Sequence, residues 1–305
     1  MAFAYPDLPE GITSFGAALC RGAVYLYGGH CGRAHDYYET GQSNRLRRCD
    51  PQRSPAWEDL ATGPRRQGLA MVSHGDQLYR IGGFSARNQQ GEESDLWSVA
   101  DCARFDPALG VWEELPDLPS PRSSHDAAVI GDHVYVVGGW TLAGADASSW
   151  HTTAVVADLT ETPLVWRELP PPPFQRRALA AAAFEDKLYV IGGMQNRGGP
   201  TGAVDVFDPA TESWSTGPML CGEADEGFGA AACAAGGALY VSTVQGHLQR
   251  LDQGAEAWVL DKNLPTRRFF HRMLPASDDR LLIIGGANME TGRFRQVDVI
   301  DLAAD

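Results

Sequence analysis

The stretch Val24-Tyr25-Leu26-Tyr27-Gly28-Gly29 alternates apolar side chains and ends in two glycines, and this pattern recurs along the whole chain. Further copies occupy residues 78–83, 134–139, 188–193 and 281–286, with a degenerate copy at residues 239–243. The first glycines of the first four copies lie 54, 56 and 54 residues apart. A repeat of this length is typical of an array of small sheets, none of which can bury its apolar face alone.

The third copy shows the predicted repeat unit most clearly. Residues 123–130 form a predicted first strand, Gly131 and Asp132 form a tight turn, and residues 133–137 form a second strand. After a long loop, residues 153–158 and 165–169 supply a third and a fourth strand. Because alternation has a period of two residues throughout, with no convincing helical stretch, we predict an all-β protein.

Two residue types mark equivalent positions in successive copies. An aspartate ends each third strand, at Asp50, Asp106, Asp158, Asp208, Asp252 and Asp301. A tryptophan follows in five fourth strands, at Trp57, Trp112, Trp166, Trp214 and Trp258. We expect these tryptophans to pack between neighbouring sheets and assign them no chemistry.

The sixth copy stops before its fourth strand. The segment Tyr5-Pro6-Asp7-Leu8-Pro9 matches Leu115-Pro116-Asp117-Leu118-Pro119, which follows the fourth strand of the second copy. We therefore expect the N-terminal strand, residues 1–5, to complete the last sheet, so that no sheet edge stays open. The prediction is a six-bladed β-propeller that occupies residues 1–305 as a single domain.

The diglycine after an apolar strand, the tyrosine three residues before it and the spaced tryptophan resemble the kelch-repeat family over essentially the whole chain. This resemblance implies a kelch β-propeller. Kelch propellers serve as protein-binding modules, sugar-processing enzymes and scaffolds, so the function has to be argued from the site.

Composition narrows the classes of function. The net charge of −14 argues against a broad nucleic-acid or anionic-membrane surface. The longest apolar stretches, such as residues 178–184, are too short to cross a bilayer, and residues 1–7 contain no recognisable secretory signal. We therefore expect a cytoplasmic protein that binds neither nucleic acid nor membrane.

The six cysteines lack Cys-x-x-Cys spacing, which indicates neither a zinc site nor a redox pair. Cys31 and Cys49 flank one long loop and could pair in a secreted protein, but six free thiols are the simpler interpretation. We predict no metal and no cofactor.

Antiparallel connectivity indicates which end of the sheets carries function. The loops after the second strands and the segments before the first strands meet on one face, which we call the loop face. The longest loops, residues 30–46, 84–101 and 140–152, all lie there. The loop face is therefore the candidate binding surface.

Arginines precede several first strands on this face. They are Arg65, Arg66, Arg122, Arg176, Arg177, Arg267 and Arg268, whereas the fifth repeat carries Glu223, Asp225 and Glu226. Arginine forks suit carboxylate or phosphate recognition. A structural alternative is that each arginine donates hydrogen bonds to loop carbonyls; we favour ligand contact for the doubled arginines taken together.

Histidines also concentrate on the loop face. His125 and His271 hold the same position in the third and sixth repeats, so we expect both at the opening of the axial channel. His30, His35 and His151 lie in long loops. Imidazole suits general acid–base chemistry or metal binding, although bonds to backbone carbonyls are favoured over a metal site.

Trp140 directly follows its diglycine, and Trp97 and Trp150 lie in nearby loops. These rings could stack on a sugar, anchor a protein partner or cover a long loop.

The primary hypothesis is a binding protein for an anionic small molecule or an acidic protein segment. Its candidate ligand-binding residues are His30, Arg66, Arg122, His125, Trp140, His151, Arg176, Arg177, Glu226, Arg268 and His271.

The alternative hypothesis is a carbohydrate mutarotase, because stand-alone kelch propellers of this kind resemble the N-acetylneuraminate epimerase group. That resemblance implies Glu226 or His125 as the base, Arg177 and Arg268 as carboxylate clamps and Trp140 as a stacking surface. Copper radical oxidases also contain kelch repeats, but the chain has no Tyr-His dipeptide and its predicted ring has six sheets.

Overall fold

The computed structural model describes residues 5–302, whose main strands form six antiparallel sheets that we number blade 1 to blade 6 in chain order. Blade 1 contains Gly16–Cys20, Ala23–Tyr27, Arg45–Asp50 and Ser54–Thr62. Blade 2 contains Ala70–His74, Gln77–Ile81, Cys102–Asp106 and Val111–Leu115. Blade 3 contains Asp126–Ile130, His133–Val137, Val155–Asp158 and Arg167–Glu168. Blade 4 contains Ala180–Phe184, Lys187–Ile191, Val204–Asp208 and Ser213–Thr216. Blade 5 contains Ala231–Ala235, Ala238–Ser242, His247–Asp252 and Val259–Asn263. Blade 6 contains Arg272–Ser277, Arg280–Ile284 and Val297–Asp301. The predicted all-β propeller architecture is confirmed.

The diglycines are the points at which one blade packs on the next. Both glycines of the third copy have positive φ, and a Cβ on Gly138 would lie 2.7 Å from the carbonyl oxygen of Arg176, before blade 4. The N–H of Gly139 donates to the same carbonyl at 2.8 Å. Equivalent bonds join Gly29 to Arg66, Gly83 to Arg122, Gly193 to Gly227 and Gly286 to Ile12. Only glycine combines this backbone conformation with so close an approach.

The repeated tryptophans pack between blades, as predicted. The indole of Trp166 in blade 3 donates to the carbonyl of Pro116, which follows blade 2, at 3.1 Å. Trp214 and Trp258 make the same bond to Pro170 and Pro218. Trp57 in blade 1 donates to Pro6 at 3.0 Å, so the N-terminal segment occupies the position that follows a fourth strand elsewhere. The predicted closing strand falls largely on residues 1–4, outside the described residues.

Six residues with left-handed backbone surround the propeller axis, each two positions before a first strand. They are Ser14, Gly68, Ser124, Ala178, Gly229 and Phe270, with φ between 51° and 61°. Each N–H donates to the carbonyl of its counterpart in the preceding blade at 2.7–3.1 Å, and Ser14 donates to Phe270 to close the cycle. We call these six residues the axial ring. Its cyclic bonds hold four non-glycine residues in a conformation that L residues rarely adopt.

The first strand of blade 3 starts later than predicted. It begins at Asp126 rather than residue 123, because Ser124 belongs to the axial ring and Ser123 forms an isolated bridge with Trp140.

The long loops form smaller sheets above the loop face. The largest joins blades 2 and 3 in the strand order Asp146–Trp150, Trp140–Ala143, Leu96–Ser98 and Phe84–Ala86. A second loop sheet contains Arg176–Arg177, Met194–Gln195 and Gly199–Pro200. A third contains Ala287–Asn288 and Gly292–Arg293.

Helical structure among residues 5–302 consists of two short 3-10 segments, Glu39–Gly41 and Ala224–Gly227. Within this range, no helix has the length and apolar character needed to traverse a bilayer.

Candidate functional site

A cavity of about 260 Å³ opens on the loop face above the axial ring. All six axial-ring residues line it, so the ring forms its floor. Tyr37, Phe84, Leu96, Trp140 and Leu142 contribute from the long loops of blades 1, 2 and 3. The predicted candidate face therefore contains a partly enclosed site bounded by the long loops of blades 1, 2 and 3.

Arg177 is the distinctive charged group of this cavity. Its guanidinium carbon lies 4.0 Å from the ring centroid of Trp140 and 5.3 Å from that of Trp150, within the range of cation–π attraction. Its Nε is buried without an acceptor, and no carboxylate or carbonyl among residues 5–302 pairs with the guanidinium. Burial lowers the pKa of Arg177 below its ordinary value.

Trp140 forms the wall beside Arg177. Its indole Nε1 is buried without a hydrogen-bond partner and is not exposed to the cavity. Trp140 pairs with Trp150 across the loop sheet, and the two rings meet edge to face with centroids 5.8 Å apart. Arg177 is held beside them by a short strand in which it pairs with Met194. Because guanidinium nitrogens only donate, the wall is suited to an acceptor ligand.

Much of the remaining lining is apolar and was missed by sequence reasoning. Phe84 is buried, while Leu96, Leu142 and Phe270 are half-buried around the cavity. The leucines carry no recognisable motif. Phe270 had a usable signal, because it directly precedes one of the two aligned histidines.

Three predicted ligand arginines, Arg122, Arg176 and Arg268, are instead buried within their own blades. Arg122 donates to the carbonyls of Gly138 and Thr153 at 2.7 and 2.9 Å, and burial lowers its pKa to about 10. In the same way, Arg176 and Arg268 donate to the first glycine of their blades' diglycines and form ion pairs with Asp205 and Asp298. None of these three residues lines the cavity, because their charges are used in holding the repeat together.

Arg66 is also engaged within the protein. Its guanidinium contacts Asp101, with an Nη2–Oδ1 distance of 3.1 Å, and donates to the carbonyl of Arg65 at 2.9 Å. Arg66 does not line the cavity, so the expected ligand contact is not supported there.

His125 and His271 border the cavity floor, as expected from their alignment, but both are 3% exposed. His125 packs against Gly82 of blade 2, and neither ring nitrogen has a partner. His271 bonds Ser242 in blade 5. Burial lowers the pKa of both rings, that of His271 to about 3. They therefore act as neutral packing groups between blades rather than as exposed acid–base groups.

The two loop histidines are likewise occupied by local contacts. The Nε2 of His30 lies 2.8 Å from the carbonyl oxygen of Arg33, and its ring packs on Tyr37. The Nε2 of His151 lies 3.0 Å from the carbonyl oxygen of Pro121, and burial lowers its pKa to about 4. Neither histidine lines the cavity.

Glu226 lies away from the cavity in blade 5. It is 2% exposed, its Oε1 lies 2.7 Å from Nδ1 of His247, and its Oε2 has no partner. Blade 5 carries Gly227 where blades 2, 3, 4 and 6 carry an arginine. Glu226 thus pairs within blade 5 and does not line the cavity.

No group of three His, Cys, Asp or Glu side chains within residues 5–302 is arranged to hold a metal ion. All six cysteines are unpaired, including Cys31 and Cys49.

Comparison with known proteins agrees with this architecture. Residues 175–219 match the Kelch motif. Kelch-like protein 35 of Mus musculus is 26% identical over 210 residues, which cover 68% of this chain and 31% of that protein. N-acetylneuraminate epimerase of Haemophilus influenzae is 36% identical over 143 residues, which cover 45% of this chain and 34% of that protein.

The solved structure of YjhT superimposes with a TM-score of 0.77 at 18% identity, covering 97% of this chain and 99% of that one. The Kelch motif and these similarities support a kelch-repeat protein.

This kelch-repeat protein spans about a third of the length of the two curated relatives. Of its predicted site residues, the structure brings Arg177 and Trp140 together at the cavity, with His125 and His271 at the floor. Arg66, Arg122, Arg176, Arg268 and Glu226 are engaged within the blades, whereas His30 and His151 make local loop contacts.

Proposed function

We propose that this kelch-repeat protein is a binding protein whose loop-face cavity takes an anion, either a small molecule or an acidic segment of a protein partner. The observation that carries this proposal is the guanidinium of Arg177, which has no hydrogen-bond acceptor and packs against Trp140 at a partly enclosed cavity. A partly buried cation without an acceptor is costly, and an anion from solution would supply that acceptor.

The aromatic setting supports the same proposal. Tryptophan and arginine are the residues that most often dominate binding energy at interfaces. Here Trp140, Trp150 and Arg177 form one packed group. A kelch scaffold commonly serves binding, and this group gives it a defined contact point.

The experiment compares unligated protein with protein in acetate, phosphate, N-acetylneuraminate or an acidic peptide, by thermal shift and calorimetry. At least one anion should bind to the wild-type protein. Arg177→Met should weaken that binding by about 2 kcal/mol, because a charge-assisted hydrogen bond is lost. Retained affinity in the variant would contradict the proposal.

A mutarotase acting on an anionic sugar is the second candidate. Its support is the similarity to N-acetylneuraminate epimerase. Among described residues, no carboxylate lines the cavity, so a base would have to come from elsewhere. Anomer exchange of N-acetylneuraminate, followed by NMR, should accelerate with wild-type protein and slow with Arg177→Met if this candidate holds. An uncatalysed rate would exclude it.

We further propose a cytoplasmic location, supported by six cysteines that remain thiols. Fractionation of native cells tests it: recovery in the soluble cytoplasmic fraction is expected, and recovery outside the cell would contradict it.

A further inference from the structure

We infer that the loop-face cavity selects a monocarboxylate attached to a compact apolar body, such as an arylacetate or a branched aliphatic acid. This inference rests on the proposed function and narrows it from anions in general to one chemical class.

The charge of the site limits the charge of the ligand. Two arginines line the cavity, Arg177 and Arg272. The guanidinium of Arg272 is already occupied by Asp126 and by the carbonyls of Phe15 and Leu69. Arg177 is the cation in the described lining that lacks an acceptor, so one negative charge balances the site. A dianion would leave a charge uncompensated in a partly buried position.

The donors favour a carboxylate. Arg177 presents a planar guanidinium fork that has no acceptor and packs against Trp140. The two oxygens of a carboxylate can accept two parallel hydrogen bonds from an arginine fork. A neutral carbonyl has one oxygen and cannot match both arms of the fork.

The rest of the lining favours an apolar body. Phe84, Leu96, Leu142 and Phe270 contribute apolar surface. The N–H groups of the axial ring are used in the ring itself and cannot bind a ligand hydroxyl without breaking it. The hydroxyl and amide side chains in the lining are Ser14, Tyr37, Gln67 and Ser124. A polyhydroxylated sugar would therefore place part of its hydroxyls against the apolar walls, which costs affinity.

The size of the cavity sets an upper limit. Its volume of about 260 Å³ lies below the ~300–1,000 Å³ typical of ligand sites, which suits one aromatic ring or a short branched chain. A free small acid and the C-terminal carboxylate of a peptide ending in an apolar residue share this chemistry.

The experiment measures affinity by calorimetry for phenylacetate, its neutral amide phenylacetamide, N-acetylneuraminate and inorganic phosphate. Phenylacetate should bind at least about tenfold more tightly than each of the other three, because it alone matches both the charge and the walls. Arg177→Met should remove this preference over the amide. The control Arg197→Met, at an exposed arginine of a neighbouring loop, should leave affinity unchanged.

A second variant tests the apolar wall without touching the charge. Leu142→Ser should weaken phenylacetate about tenfold while acetate affinity stays the same, since only the apolar body contacts that wall. Thermal unfolding of each unligated variant verifies that it is folded. If Arg177→Met does not fold, Leu142→Ser and the ligand series still decide the inference.

The remaining outcomes distinguish failure of the carboxylate–apolar ligand class from failure of anion binding as a whole. Tighter binding of N-acetylneuraminate or phosphate would overturn the carboxylate–apolar class while leaving anion binding intact. Equal binding of phenylacetamide would overturn both, and so would the absence of binding by every anion. A tripeptide ending in phenylalanine that binds more tightly than phenylacetate, and loses affinity on C-terminal amidation, would support the class and identify a peptide as its source.

Discussion

Arg272 of blade 6 reaches across the propeller axis to Asp126 of blade 3, with 2.8 Å between Nη1 and Oδ1, although 146 residues separate them in sequence. Arg272 also donates to the carbonyls of Phe15 and Leu69, before blades 1 and 2. Asp126 accepts from the N–H of Ala181 in blade 4. The pair therefore connects five of the six blades directly beneath the axial ring.

Removing Arg272 should destabilise the fold strongly. Arg272→Met leaves the carboxylate of Asp126, which is 9% exposed, without its cation, and such losses cost about 3–5 kcal/mol. Urea denaturation measures the change. The control Arg280→Met removes the exposed ion pair with Asp301 in the same hairpin and should cost less than about 1 kcal/mol.

The pairing itself is tested by a double variant. Arg272→Met combined with Asp126→Asn should recover part of the lost stability, because the amide carries no charge that needs a partner. Equal losses from Arg272→Met and Arg280→Met would refute the role of the axial pair.

A diglycine position and a turn glycine should differ sharply in their tolerance of alanine. At Gly138, φ is +68° and a Cβ would approach the backbone of blade 4. At Gly131, φ is +57° but the surrounding space is open. Gly131→Ala should cost about 1 kcal/mol from the backbone alone, and Gly138→Ala about 3 kcal/mol or more once overpacking is added. Denaturation midpoints measure both, and equal losses would contradict blade docking at the glycines.

His271 should make stability depend on pH. Burial lowers its folded-state pKa to about 3, whereas the unfolded pKa is ordinary, about 6.5. Its contribution is therefore fully present above pH 6.5 and is lost as pH falls towards 3, at no more than about 1.4 kcal/mol per pH unit.

His271→Leu should remove that loss, since Leu69 and Leu179 occupy the equivalent position in blades 2 and 4. The free-energy difference between variant and wild type, measured at pH 7.5 and pH 4.5, should shift in favour of the variant at the lower pH. Ser242→Ala retains the imidazole and should retain the pH dependence. Superimposable pH profiles of wild type and His271→Leu would disprove the assignment.

The propeller could be predicted from sequence because its determinants are local and repeated. A glycine pair at Gly138 and a tryptophan at Trp166 each serve one junction between blades, and the same junction recurs around the axis. Repetition exposes such residues without knowledge of the coordinates.

The site was only partly predictable, because arginines in similar segments have different surroundings. Arg176 and Arg177 are adjacent in sequence, yet Arg176 is buried against the carbonyl of Gly192 while Arg177 faces the cavity. Alternation along a short strand separates the two, and sequence alone does not give that strand's orientation. The surroundings of Glu226 were not predictable for a related reason: its partner His247 belongs to a later strand of blade 5.

The central claim is that Arg177 is the anion-binding group of the loop-face cavity. A crystal structure of the protein soaked with phenylacetate tests this claim most directly. We predict carboxylate oxygens within hydrogen-bond distance of the Arg177 guanidinium, with the ring against Phe84 and Leu142. A carboxylate bound at another arginine, with the space beside Arg177 holding only water, would contradict the account.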